Sequence, residues 1–311
     1  IAALTGAVLA APAFADDTLK LAIGQQGLWD SSIAEAGQQT GIFKKHGIDV
    51  QVFYTSSGGE TLQVVISGSA DIGISAGTLG VLGAYAKGAP LRIIAGEATG
   101  TAEYYFVRAD SPLKRLKDAT ATTTLAYSTN GSGTHITALR FMKEQGFSAK
   151  LVATGTVPAT FTQVMSGQVD IGFSTPPFGL AESDQGKTRI LALADDLNSI
   201  RTQTVRVTVA NATDLAKRPD VYKRFIAAYQ EIIEWMYSPD PKVLEMYAKY
   251  AKITPGMARV VRDRFYPKSM LQLTQVEGMD ALMQDAIAFK YITKPLTKEQ
   301  LDELLKFPGK L

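Results

Sequence analysis

Residues 61–80 read TLQVVISGSADIGISAGTLG, and residues 160–179 read TFTQVMSGQVDIGFSTPPFG, the same pattern ninety-nine positions further on. Ser67-Gly68 answers to Ser166-Gly167, Asp71-Ile72-Gly73 to Asp170-Ile171-Gly172, Ser75 to Ser174, and Gly80 to Gly179. Each copy reads as an amphipathic helix closed by glycine, then a short apolar strand, then a turn of small residues. One Ser-Gly-x-x-Asp-Ile-Gly would say little, but here the register holds over the whole stretch. The same offset carries Val52-Phe53 to Leu151-Val152 and Phe43-Lys44-Lys45 to Met142-Lys143-Glu144. The pattern predicts a duplicated α/β unit, two similar lobes in one chain.

The rest of the chain fits that scheme. Strands are expected at 18–24, 48–54, 91–95, 122–127, 150–153 and 189–193, alternating with helices at 31–45, 80–86 and 134–145. Such alternation implies mostly parallel sheets with helices on both faces. Ser57 and Glu60 have the spacing of a capping box. The β-rich segments 104–107 and 205–209 bracket the second copy, as the crossover strands of a two-segment hinge would. From Pro219 the chain reads as helical. Tyr222, Phe225, Ile226, Tyr229, Ile232, Ile233 and Met236 recur at helical spacing, and further helices are expected near 240–251, 256–265, 276–289 and 297–306. The aromatic stripe of that region is read as packing.

With 311 residues, 46% of them hydrophobic and 20% charged, the chain is an ordinary globular sequence long enough for two domains. A net charge of +2 without long basic runs argues against nucleic acid or a membrane surface as the main partner. The absence of cysteine excludes disulfides, thiolate nucleophiles and cysteine-ligated metals. His46 and His135, the two histidines, give little material for a metal site or a Ser-His-Asp triad. Residues 1–11 are small and apolar, and Pro12 and Ala13-Phe14-Ala15 follow in the manner of an export leader and its cleavage signal. The mature protein is therefore expected to start at Asp16.

In open parallel sheets ligands bind beyond the C-terminal strand ends, where helix N-termini present free N–H groups. The turns so placed bring forward Gln25, Trp29, Ser57, Gly58, Ser75, Thr78 and Glu97 from the first lobe. From the second they bring Asn130, Gly131, Ser132, Thr134, Pro176 and Phe178. Trp29 and Phe178 would be apolar walls of a cleft suited to a small polar or anionic ligand. The 57–60 turn carries its own carboxylate. The 130–134 turn, like 75–78, has no acid in its first helical turn, so the ligand's anionic end is expected at 130–134, helped by 75–78. Glu97 would either bind a ligand amine or hydroxyl or cap a helix. Arg206 is read as an inter-lobe salt bridge before an anion contact. His135 reads as a surface or capping residue, and His46 as a solvated helix end.

The leader ending at Ala15, Gly24-Gln25-Gln26, Thr40-Gly41-Ile42-Phe43-Lys44-Lys45-His46-Gly47-Ile48, the two Asp-Ile-Gly elements and Lys217-Arg218-Pro219-Asp220 together resemble the substrate-binding proteins of ABC importers. The resemblance is to the NMT1/THI5-like group, which includes sulfonate-, taurine- and nitrate-binding proteins. It implies a two-lobed periplasmic-binding-protein type II fold, each lobe a mostly parallel sheet flanked by helices, with the ligand cleft at the hinge. Lobe one would comprise 16–101 and 206–311, lobe two 102–205, and 1–15 the remnant of the leader. It also implies ligand contacts from Ser57, Ser75, Thr78, Ser132 and Thr134, a periplasmic location, delivery to ABC permease and ATPase subunits, and a monomer without cofactor or metal. The 175–178 turn, Thr-Pro-Pro-Phe, is bulkier than its counterpart 75–78, which favours an organic group over a bare oxyanion. An alkanesulfonate or taurine-like anion leads, with an aromatic carboxylate or pyrimidine next. An enzyme of the THI5 pyrimidine-forming kind is disfavoured, because that kind uses a cysteine-rich iron motif. An extracytoplasmic sensor domain would need a separate partner.

Overall fold

The computed structural model of the chain describes residues 17–307. The expected leader, 1–15, lies outside the described residues. The strands are β1 (Asp17–Gly24), β2 (Ile48–Thr55), β3 (Ile72–Gly77), β4 (Leu91–Thr99), β5 (Tyr104–Arg108), β6 (Thr124–Tyr127), β7 (Lys150–Ala153), β8 (Gly172–Ser174), β9 (Thr188–Leu193) and β10 (Thr204–Asn211). One sheet has the order β2-β1-β3-β10-β4, with β1 parallel to β2 and β3 and with β10 antiparallel to both neighbours. In the other, β5 lies antiparallel between β8 and β9, and β6 pairs parallel with β7. A parallel bridge from Leu125 to Ile171 joins β6 to β8, giving the order β7-β6-β8-β5-β9. Both sheets thus follow one plan, and in each the antiparallel strand arrives from the other sheet. Those two strands, β5 and β10, are the segments expected to cross between lobes.

Burial explains why the central strands lack alternation. β3 is buried at every position and β10 at all but its last, because helices cover both faces. The repeated motif owes its form to three contacts made twice. Asp71 accepts the Lys20 N–H at 2.8 Å, and Asp170 accepts the Thr124 N–H at 2.8 Å, so each aspartate extends the pairing of its lobe's first strand by one rung. The hydroxyls of Thr55 and Thr61 meet at 2.6 Å, as do those of Thr154 and Thr160. A Cβ on Gly73 would come within 2.8 Å of Val65, and one on Gly172 within 2.7 Å of Val164, so glycine lets helix and strand close up in both lobes. Gly68 and Gly167, each at φ +76°, end the two helices in the left-handed conformation that the sequence signalled.

Helix Pro219–Met236 buries Tyr222, Phe225, Tyr229, Ile232, Ile233 and Met236 against the first sheet's helices. Each such side chain contributes about 1.5–3 kcal/mol on leaving water. The helix expected over 31–45 is instead interrupted. A 3₁₀ turn at Asp30–Ser32 leads into helix Ile33–Thr40, and Gly41 at φ +73° separates it from helix Ile42–Lys45. Around 256–265 the α-helix stops at Val260 and continues as a π-helical turn, Val261–Phe265. The helix expected from 276 starts at Met279, behind Gly278 at φ +67°. Among the described residues no helix is long and apolar enough to cross a membrane.

Alanine at Gly73 or Gly172 should lower unfolding free energy by about 1–3 kcal/mol in urea titrations, through overpacking of the same helix–strand seam. A neutral effect at either site would show that the seam can relax.

Candidate functional site

The two sheets direct three helix N-termini into one cleft. Ser57 caps helix Gly58–Ile66, Ser132 caps helix Gly133–Gln145, and Thr156 caps helix Val157–Met165, each side-chain oxygen accepting a backbone N–H of the first turn. The cleft wall includes Gly24, Gln25, Leu28, Ser56, Ser57, Gly58 and Ser75 on one side. Ser128, Ser132, Gly133, Thr134, Gly155, Val157, Phe173 and Thr175 face them, with Glu103 and Arg206 at the crossover strands. Its free volume is about 50 Å³, room for water but not for an organic molecule. Bonds across the cleft hold it narrow. The Ser57 and Thr129 hydroxyls meet at 2.8 Å, and the Val157 N–H donates to Gln25 Oε1 at 3.3 Å. The Gly131 N–H donates to the Tyr291 hydroxyl at 3.1 Å.

Of the residues expected at the site, Gln25, Ser57, Gly58, Ser75, Ser132 and Thr134 share this wall. The others stand elsewhere. Trp29, expected as a wall, is fully buried in the aromatic core, edge-on to Tyr247 at 4.9 Å, with its indole N–H donated to the Tyr237 hydroxyl at 2.9 Å. Thr78 gives its hydroxyl proton to the Thr204 carbonyl at 2.6 Å. Asn130 accepts from the Tyr127 hydroxyl at 2.7 Å. Gly131 sits at φ +83° against Gly80, so the lobes touch through backbone at that point. Pro176 is outside the wall, and the Phe178 ring packs on Gly27, where a Cβ would meet it at 3.0 Å.

Both turns read as free of acid receive one from a distance. Glu97, at the end of β4, takes the Ser75 N–H and hydroxyl, each at 2.6 Å, and holds Ser75 in a left-handed conformation at φ +69°. Glu103 accepts from the Thr137 hydroxyl at 2.9 Å, and its Oε1 lies 3.5 Å from where a Cβ of Gly133 would be, at the opening of the 133–145 helix. The capping box at Ser57 is also only half formed. Ser57 accepts from the Glu60 N–H, but the Glu60 carboxylate turns back to Ser56, taking its N–H at 2.7 Å and its hydroxyl at 2.5 Å.

Arg206, on β10, stands between these acids. Its guanidinium lies 3.0 Å from Asp30 and 3.8 Å from Glu103, all three being buried. The strand's register shifts on either side of Arg206, the local irregularity that turns its side chain toward the crossover. Burial alone would lower the arginine's pKa, but Asp30 and Glu103 outweigh it and raise it. Burial pushes Glu97 up to about 7 and raises Glu103, against the pull of Arg206. Nε and Nη2 of Arg206, and Oδ2 of Asp30, lack well-aligned hydrogen bonds, so the contact is one of charge more than of geometry. Asp30 and Glu103 escaped the sequence reading, because neither acid carries a local signal of the arginine that topology brings to it.

His135 is neither exposed nor a cap. It stacks on Tyr127 with centroids 4.3 Å apart, and its Nδ1 accepts the Gly131 N–H at 3.3 Å and contacts the Tyr291 hydroxyl at 2.7 Å. Burial lowers its pKa from the ordinary 6.5 to about 4. His46 bonds Glu231 at 2.9 Å. Among the described residues no group of three or more His, Asp or Glu side chains is placed to hold a metal ion.

Two like-ordered sheets, each with one antiparallel strand handed over by the other and a cleft between them, define the type II periplasmic-binding-protein fold. Solved structures agree. The alkanesulfonate-binding protein SsuA of Xanthomonas axonopodis pv. citri, bound to MOPS, superposes with a TM-score of 0.72 at 18% identity, over 89% of this chain and 92% of that one. The periplasmic aliphatic sulphonate-binding protein SsuA of Escherichia coli gives 0.71 at 20% identity, over 93% and 92%. The periplasmic nitrate-binding protein NrtA of Synechocystis gives 0.68 at 16%, over 93% and 85%. The family described as NMT1/THI5 like matches residues 33–242, more than half of the sequence, and the chain belongs to that family. No curated protein matches it by sequence.

The depressed pKa of His135 sets a pH dependence. Between about 4 and 6.5 the unfolded chain binds a proton there that the folded chain refuses, so this histidine's contribution is intact above 6.5 and is lost as pH falls toward 4. A His135→Phe variant keeps a ring on Tyr127 without titrating. The stability of the wild type relative to this variant should fall in thermal melts as pH drops from 6.5 to 4, and a pH-independent difference would contradict the neutral, buried imidazole.

Proposed function

We propose that the protein is an exported solute-binding protein that closes two lobes on a small organic anion and delivers it to an ABC permease. The observation that carries this reading is the convergence of three capped helix N-termini, from both sheets, on one hydroxyl-lined cleft. Each N-terminus carries about half a positive charge, which a ligand anion would complement. With Glu103 at the opening of the 133–145 helix and the Val157 N–H given to Gln25, the ligand's anionic group belongs beside Ser57 and Gly58.

The likeness to sulfonate-binding SsuA supports an alkanesulfonate or taurine-like ligand in the same transport role, in the periplasm, with the permease and ATPase subunits as partners. Leu28, Val157 and Phe173 supply modest apolar surface for an organic group. The wall hydroxyls are engaged in bonds of their own, Ser128 with Ser132 at 2.9 Å and with Thr134 at 2.8 Å, and Ser75 donating to Glu97 at 2.6 Å.

Ligand at a hundred times its dissociation constant should stabilise the chain by about 2.7 kcal/mol, visible as a melting shift across a panel of sulfonates, nitrate, sulfate, aromatic carboxylates and pyrimidines. The placement is tested by a matched pair of variants. Ser57→Asp and Ser57→Asn both keep a good N-cap, but only the first adds a charge to the cleft mouth. The aspartate variant should lose anion binding while the asparagine variant keeps it. Equal binding by the two would remove the anion from this helix end.

A further inference from the structure

The chain has three asparagines, at 130, 198 and 211, and of these Asn130 alone precedes a glycine. Asn130 is exposed to solvent. Gly131 has no Cβ to keep its nitrogen from the Asn130 side-chain carbon, the encounter that begins succinimide formation. Against that reactivity, the peptide between the two residues is wedged between the lobes. A Cβ on Gly59 would come within 3.0 Å of the Asn130 carbonyl oxygen, and one on Gly80 within 2.6 Å of the Gly131 carbonyl oxygen, with Gly77 crowding the same atom. The Gly131 N–H is shared between the Tyr291 hydroxyl at 3.1 Å and His135 Nδ1 at 3.3 Å. Gly59, Gly77 and Gly80 belong to the first sheet and its helices, and Tyr291 lies on Gly83 of the same region. Ring closure requires the planar peptide to turn about the Asn130 Cα–C bond until its nitrogen faces Cγ. A peptide packed on neighbouring backbone has no room to turn.

We propose that Asn130 is a modification site guarded by lobe closure: when the lobes part, Asn130 and Gly131 cyclise to a succinimide, which water opens to aspartate or isoaspartate. The inference rests on the closure in the function proposed above and adds a covalent consequence to it. The Gly131 nitrogen bonds to Asn130 Cγ, the Cγ–Nδ2 bond breaks, and the side-chain nitrogen leaves as ammonia, taking up the Gly131 proton. Water then adds at either ring carbonyl, its hydroxyl to the carbon and its remaining proton to the nitrogen, with no oxidation or reduction. Opening at Cγ gives aspartate. Opening at the main-chain carbonyl gives isoaspartate, in which the backbone runs through Cγ and is a methylene longer. That extra length falls where Gly59, Gly77 and Gly80 leave none, so this product resists the closure that guarded its precursor.

The test needs no ligand. The chain has no cysteine, and the Ser57 and Thr129 hydroxyls meet across the cleft at 2.8 Å. The double variant Ser57→Cys, Thr129→Cys therefore sets two thiols within disulfide reach. Oxidised, it holds the lobes closed; reduced, it lets them part. Both forms are incubated at neutral pH, and conversion at each asparagine is followed by peptide mapping and mass spectrometry. The reduced form should convert Asn130 about tenfold faster than the oxidised form, the effect of about 1.4 kcal/mol on the barrier. Asn198 and Asn211 should change alike in both. Small-angle scattering of the reduced form reports whether its lobes part. Equal conversion of Asn130 with the reduced lobes parted overturns the guard and leaves the binding function standing. Equal conversion with the lobes still together overturns the inference along with closure itself. An Asn130 that stays intact in the parted chain, while the urea-unfolded chain converts it, overturns the site. Gly80→Ala is the independent check where the double variant does not fold. Its methyl would displace the Gly131 carbonyl and wedge the lobes apart, so Asn130 should convert faster than in the wild type, and an unchanged rate overturns the guard.

Discussion

A guanidinium taken out of water needs compensating charge, and the position of Arg206 makes that need a constraint on the whole molecule. It sits on the strand that returns from the second sheet to the first, so its acidic partners have to converge there from separate stretches of chain: Asp30 from the turn after β1, and Glu103 from the start of the outgoing crossover. Losing Arg206 would leave Asp30 and Glu103 buried without a counter-ion, at a cost of about 3–5 kcal/mol. The ion group therefore pins the two crossover strands together at the level where the cleft begins. Arg206 and Glu103 also stand in the cleft wall, so the ion group joins the crossover strands to the cavity.

The duplication supplies the frame around that point. Asp71 and Asp170, Thr61 and Thr160, and Gly73 and Gly172 do the same mechanical work in both lobes, the aspartates tying strand to strand and the threonines and glycines fitting helix to strand. The lobes diverge where they meet the cleft. Ser75 is twisted into a left-handed conformation and tied to Glu97, whereas its counterpart Ser174 donates to the Phe178 carbonyl at 2.8 Å. One lobe thus brings a buried carboxylate up to the wall, and the other closes its turn on itself and sends Phe178 across to Gly27. Shared residues hold the scaffold, and the differences lie where recognition would take place.

Local patterning made the scaffold legible. Strand runs, glycine helix ends and the offset repeat depend on neighbours a few residues apart, and the strands stand where the pattern put them. The fold class followed from the repeat, and six of the wall residues from the general rule about strand ends. The electrostatics were not legible in that way. Whether a helix N-terminus is free of acid depends on carboxylates 22 residues away for Ser75 and 34 away for Thr137, brought in by topology. Trp29 looked like a cleft wall because an aromatic in a polar turn often is one. Here the C-terminal helices bring Tyr237 and Tyr247 over it, a packing that no window around residue 29 contains.

In the proposed function, closure is the step on which binding depends. The wall leaves about 50 Å³, so an organic ligand reaches its contacts only if the lobes part and then close again. Small-angle X-ray scattering of the chain, with and without a bound ligand, measures that motion directly. The account predicts a larger radius of gyration without ligand, contracting on saturation toward, without reaching, the value calculated for the closed arrangement described here. Identical scattering in the two states would contradict it, since a rigid cleft of this size could not admit the molecule it is proposed to carry.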